Sequence, residues 1–128
     1  MSERGAAAVV LLGVAGLVVM LSAGVGGVGM MVAARLQAAA AADAAALAAA
    51  PVTFAPFGAA GSPADEAKRL AEANGTRLVS CRCPVDRSFN TRTVEVVVEN
   101  PVRIPVLGVV AVRASSRAEF APAKLLAP

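Results

Sequence analysis

The stretch AAAVVLLGVAGLVVMLSAGVGGVGMMVAA, Ala6 to Ala34, decides how this chain is built, because none of its 29 side chains carries a charge. It runs without a proline into Arg35-Leu36-Gln37 and an Ala-rich segment that ends at Ala50, just before Pro51. A bilayer core needs only about 20 apolar residues in helical form. In lipid a helix satisfies its own backbone hydrogen bonds, so Val9–Val19 and Met30–Val32 can reside there. Ala is the best helix former, so Leu36–Ala50 is expected to continue the helix on propensity alone. At about 1.5 Å per residue, a helix over residues 6–50 is roughly 65–70 Å long and stands two or more turns beyond the membrane.

A cleaved signal peptide is the competing reading. Such a peptide has a basic start and an apolar core of about 7–15 residues before its cleavage site. Here Arg4 sits beside Glu3 and the apolar run is about twice that long, so an uncleaved anchor is expected. Within the span, Gly24, Gly26, Gly27 and Gly29 fall inside six residues. Ser22/Gly26 and Ala23/Gly27 are small-xxx-small pairs, which allow another helix to approach closely. They mark either a packing face or the ordinary glycine content of a membrane helix. The Ala-rich segment has two readings as well: a helix packed backbone-close against neighbours, or a plain spacer holding a domain off the membrane.

Charge divides the chain in the same place. The first fifty residues carry only Glu3, Arg4, Arg35 and Asp43, whereas the other 78 carry ten Lys/Arg and seven Asp/Glu and so the whole net charge of +3. That length suits one small domain with a thin core. The basic excess is spread out and Trp and Tyr are absent, so nucleic-acid binding is not expected. Pro51, Pro56, Gly58, Gly61 and Pro63 read as a linker. Ser62-Pro63-Ala64-Asp65 is a helix start, with Ser62 as cap and Asp65 at the acidic capping position, and Asn74-Gly75 stops that helix. Asn74-Gly75-Thr76 also fits a glycosylation sequon, which the helix stop explains more simply.

Three strand-like runs follow. Arg77–Cys83 ends at Pro84. Thr93–Glu99 alternates, with Val94, Val96 and Val98 on one face, and is expected to end at Asn100-Pro101. Val102–Leu107 reads as a Pro-interrupted connection. Val109–Arg117 alternates again, with Val110, Val112 and Ala114 inward. The expected fold is α+β: a long N-terminal transmembrane helix extended by an Ala-rich helix, then a short helix and a three-stranded antiparallel sheet. Its divisions are residues 1–50, a linker at 51–63, an α+β domain at 64–119 and a loose tail at 120–128.

Catalytic constellations are lacking. There is no His, and no Gly-rich phosphate loop with its Lys. Asp65/Glu66 and Glu95/Glu99 read as helix-end and solvated-strand charges rather than acid–base pairs. Cys81-Arg82-Cys83 offers too few ligands for zinc. On a regular strand the two Cα atoms lie about 6.5–7 Å apart, at the edge of disulfide reach, so free thiols or a bridge to a partner are expected. No metal, cofactor or enzymatic activity is expected.

Arg35-Leu36-Gln37 through Asp43-Ala44-Ala45-Ala46-Leu47-Ala48-Ala49-Ala50 resembles the R-x-Q-x-A-A-D-x-A-A-L-A-A-A signature of TadE-like minor pilins. Ala67–Cys81 is similar to small actinobacterial TadE-like proteins encoded near a secretion ATPase and a helicase. The resemblance implies a single-pass subunit of a Tad-type (Flp) pilus or secretion machine, in the cell membrane, with its C-terminal domain outside. It also implies the bilayer, Tad-type membrane proteins and other pilin-like subunits as partners. Two features depart from the pattern. Prepilins of this class are cut after a Gly, with Glu five residues into the mature chain. Gly5-Ala6 is the candidate processing site here, and Val10 takes the Glu place. Small relatives carry a Cys before the second helix, which the resemblance implies as the partner of the one at Cys81; Ser62-Pro63-Ala64 has none, and Cys83 is extra. The rival reading is a tethered extracytoplasmic binding module whose Ala-rich helix is only a stalk.

Asp43 is the sole charge between Arg35 and Asp65. Helical spacing places it on one face with Leu36, Ala40 and Leu47. If that face packs on the small domain or on a neighbouring subunit, the carboxylate needs a partner; otherwise it is solvated. The candidate packing residues are therefore Ser22, Ala23, Gly26, Gly27, Leu36, Asp43 and Leu47.

Overall fold

The computed structural model describes residues 3–57, 61–104 and 107–125. A single helix, α1 (Glu3–Val52), accounts for 50 of them and is roughly 75 Å long. Pro51 falls in its last turn, where the chain is already leaving the helix. Helix α2 (Pro63–Ala73) follows, then strands β1 (Arg77–Arg82), β2 (Arg92–Ile104) and β3 (Gly108–Phe120). The strands form an antiparallel sheet in the order β1-β2-β3. The α+β class, the long apolar helix, the short helix and the three-stranded sheet match the sequence expectation.

Helix α2 begins where its capping chemistry dictates. Asp65 N donates to Ser62 Oγ at 3.1 Å, and Ser62 N donates back to the Asp65 carboxylate at 3.2 Å. Two orphan amides are thereby satisfied at once. The helix stops at Asn74, and Gly75 turns the chain with φ +74°. A Cβ on Gly75 would lie 3.1 Å from Gln37 Nε2, so both backbone and space favour glycine there.

The sheet presents Val94, Val96 and Val98, all fully buried, to the helices. Burying each is worth about 1.5–3 kcal/mol. In β1 the inward residues are Leu78 and Cys81, three positions apart. An even spacing is needed to keep one face. A bulge between Leu78 and Ser80 supplies the extra residue, so Leu78 pairs with Val98 and Cys81 with Val96.

The Ala-rich half of α1 is not a spacer. Ala38, Ala41, Ala42, Ala45, Ala46 and Ala49 have no exposed surface, and they form one core with Ala67, Ala71 and the three valines. Methyl side chains let the α1 backbone settle close against both α2 and the sheet. Packing therefore does not divide the chain at Ala50, where charge does. Leu36 and Leu47 share a face with Asp43 as expected, but that face points away from the domain: both leucines are 67% exposed and Asp43 is exposed too.

Four local expectations change. Strand β2 continues through Asn100-Pro101 to Ile104, pairing with β3 as far as Ile104–Gly108. Pro101 faces Ala111 in that ladder, and the β2–β3 register runs without a shift among the described residues. Phe120 belongs to β3 and pairs with Arg92, and Pro122–Leu125 form a 3-10 turn, so most of the expected loose tail is structured; residues 126–128 lie outside the described ones. The expected linker is docked at its start: Thr53 and Phe54 are buried, and Phe54 bridges to Asp86, while residues 58–60 of it lie outside the described ones. Cys81 and Cys83 form an intramolecular disulfide, against the expectation of free thiols or a bridge to a partner. The reason is local. The strand ends at Arg82, and Cys83 turns off it, bringing the Cα atoms to 5.5 Å.

The alanine core makes a sharp prediction. Ala45→Leu forces side-chain volume between α1 and its neighbours and should cost about 1–3 kcal/mol or more. Ala39→Leu, on the exposed face, should leave the unfolding midpoint nearly unchanged. Denaturant unfolding followed by circular dichroism compares the two; equal effects would contradict this packing.

Candidate functional site

The features that can do something lie on α1 and the sheet face turned away from it. The first is the apolar shaft. The most apolar 18-residue window of α1 has a mean hydropathy of 2.5 and no buried residue. Val9, Val10, Leu11, Leu12, Leu17 and Met20 all point outward. In water so much exposed apolar surface is unstable toward association, and α1 is long and apolar enough to cross a membrane. Ser22 Oγ donates to Val18 O at 2.8 Å within the helix, so its hydroxyl is satisfied without water. Gly5 and Ala6 lie exposed near the start of α1.

The small-residue stretch behaves unevenly. A Cβ on Gly24, Gly26, Gly27 or Gly29 would meet nothing within 4 Å. Ala23, Gly24 and Gly27 line an open groove of about 490 Å³, whose other wall is Ile104 and Leu107 of the β2–β3 hairpin. Ser22 and Gly26 are not among the groove's residues and are exposed.

A polar clamp fixes the domain on α1 at the top of the uncharged segment. Asn100 is buried, and its Nδ2 donates to Ala34 O at 3.3 Å and to Gln37 Oε1 at 3.2 Å. Gln37 Nε2 in turn donates to Asn74 O at 3.1 Å. One glutamine thus ties α1 both to β2 and to the α2–β1 turn. Sequence reasoning noted Gln37 only within a signature and treated Asn100 as a strand stop. The available signal was a lone amide on an Ala-rich helix.

The outer sheet face carries two charge ladders. Glu99 sits between Arg113 (2.9 Å) and Arg77 (2.5 Å), and Glu95 between Arg117 (3.3 Å) and Arg82 (3.5 Å). The pairs follow the register, with Glu99 opposite Arg77 and Arg113 and Glu95 opposite Arg82 and Arg117. Glu99 is only 7% exposed, which corrects its reading as a solvated strand charge: two arginine side chains cover it. The four-residue spacing of Glu95/Glu99 and of Arg113/Arg117 was the legible clue.

Arg92 closes the far end. It is buried, and its guanidinium donates to Thr53 O at 2.9 Å, Asp86 O at 2.8 Å and Ser88 O, while lying 5.6 Å from the Phe54 ring centre. Its work is structural, holding the 84–91 loop and the chain after α1 together. Asp43 makes no ion pair among the described residues. Nor do any of them gather three His, Cys, Asp or Glu side chains as a metal site would need.

Acid should loosen the outer face in a defined window. Arg113 and Arg77 hold the Glu99 carboxyl below its ordinary value. A carboxyl lowered on folding contributes stability above its unfolded value of about 4.3, and loses it as pH falls through the lower folded value. Unfolding midpoints should therefore drop below about pH 4.3, and Glu99→Gln should be less stable than wild type at pH 7 with a flatter acid limb. Parallel acid limbs for the two proteins would contradict the ladder's role.

Comparison of the chain with family models, with curated proteins and with solved structures found no match.

Proposed function

We propose that this protein is a membrane-anchored, pilin-like structural subunit of a Tad/Flp-type pilus or secretion assembly, with residues beyond Arg35 outside the cell. The observation that carries it is the division of labour along α1. Its first half is bare and apolar, its second half is the core of a small domain, and its outward face at Leu36, Asp43 and Leu47 is left uncovered. A subunit that stacks by its helix needs these three properties together. The TadE-like resemblance of Arg35–Ala50 and Ala67–Cys81 supports the same reading. The Cys81–Cys83 disulfide supports an oxidising compartment for the domain. Positive-inside counting is silent, because Arg4 and Arg35 flank the span equally.

On this reading the Leu36–Asp43–Leu47 face meets a neighbouring subunit, which supplies a cation or backbone donors to the carboxylate. The alternative, a tethered binding module, would leave that face in solvent.

Purification of the tagged full chain in mild detergent tests the proposal. Wild type should bring down other pilin-like subunits or Tad-type membrane proteins. Asp43→Asn should weaken that recovery and Asp43→Leu should abolish most of it, with membrane insertion intact in both. Protease added to protoplasts should remove the C-terminal domain. A monomer in detergent, with equal recovery by all three proteins, would favour the tethered module.

A further inference from the structure

Two lengths meet at the β2–β3 hairpin. Asn100 is level with Ala34 of α1 through its hydrogen bond. From there β2 runs four residues to Ile104, about 13 Å, which along a helix is about nine residues back toward the N-terminus. Ile104 and Leu107 accordingly share a groove with Ala23, Gly24, Gly27, Val28 and Met31. The bare helix below that level, residues 6–23, is roughly 27 Å long, close to the thickness of a bilayer's hydrocarbon core. On the membrane-spanning reading, with residues 6–23 filling that core, Ile104 and Leu107 fall at the outer boundary between acyl chains and headgroups.

Its chemistry fits that depth. Leu107 is 73% exposed and Val109 62% exposed, while Ile104 is turned against α1 at 6%. From Asn100 to Val112 the only charged residue is Arg103, and it is exposed. An apolar tip with one cation on a long side chain is suited to the acyl–headgroup boundary, with the guanidinium reaching a lipid phosphate.

We infer that the β2–β3 hairpin is a second membrane contact: Leu107 and Val109 enter the outer interfacial layer beside α1 and Arg103 engages phospholipid phosphate. The inference rests on the membrane-spanning reading of α1 but not on assembly into a pilus. The occupant is lipid rather than the shaft of a second copy, because a lone arginine facing an uncharged helix would have no partner, whereas a phosphate layer supplies one. The hairpin would hold the domain at a fixed height and limit its swing about α1.

The chain has neither Trp nor Tyr, so single-tryptophan variants report depth directly. Leu107→Trp, Val18→Trp and Val85→Trp place a reporter at the tip, in the span and on an exposed far loop. Each full-length variant is reconstituted in phosphatidylcholine–phosphatidylglycerol vesicles with acyl chains brominated at a shallow or a deep position. Leu107→Trp should emit to the blue of Val85→Trp and lose several-fold more emission to shallow than to deep bromines, with the order reversed for Val18→Trp. If Val18→Trp is quenched while Leu107→Trp emits like Val85→Trp and is quenched by neither lipid, the helix is anchored and the tip is in water, which overturns the inference alone. Blue-shifted but unquenched emission from Leu107→Trp would mean protein covers the tip, which also overturns it. No quenching of Val18→Trp would overturn the membrane-spanning reading and the inference with it.

Discussion

Close contact between the α1 backbone and its neighbours, possible only because the facing side chains are methyl groups, is the constraint on which this structure depends. Ala38, Ala41, Ala42, Ala45, Ala46 and Ala49 bury completely against α2 and the sheet. Alanine contributes little apolar area per residue, but it loses no side-chain entropy on burial and favours the helix by itself. A domain of this size has little core to spare. Borrowing half of a membrane-competent helix supplies the missing wall. The same economy shows in α2, which buries Pro63, Ala67 and Ala71 and packs Leu70 at the edge of the core.

The polar contacts then set height and register rather than adding bulk stability. Gln37 and Asn100 fix where along α1 the sheet begins. The Glu99 and Glu95 ladders tie all three strands across the face that α1 leaves open. Exposed ion pairs are each worth little, but cross-strand pairs disfavour slippage by one residue, which would place arginines in the core. Arg92 does the corresponding task at the far end, where its guanidinium adds a donor to the Thr53 and Asp86 carbonyls of the Phe54–Asp86 bridge and reaches Ser88 O.

Much of this was legible from residue order alone. The uncharged Ala6–Ala34 run, the Ser62–Asp65 cap, the Asn74-Gly75 stop and the Val94/Val96/Val98 face each follow from a local rule, and the structure has all four. What was not legible depended on contacts distant in sequence. Alanine repeats read equally well as a spacer and as a helix packed against neighbours, since only the partner surface decides. Asn100-Pro101 looked like a strand end because proline lacks an amide; an edge in the ladder tolerates it. Cys83 was placed on a regular strand, whereas the strand ends at Arg82. Asp43, Leu36 and Leu47 were placed correctly on one face, but which way that face points required the fold.

Amide hydrogen exchange along α1 in lipid vesicles tests most directly whether one helix is both membrane span and domain core. The account predicts that Ala38–Ala50 exchange as slowly as Val94–Val98, opening only when the sheet unfolds. Rapid exchange across Ala38–Ala50 with the sheet still protected would contradict it, and would make the upper helix a stalk with an independent domain beside it.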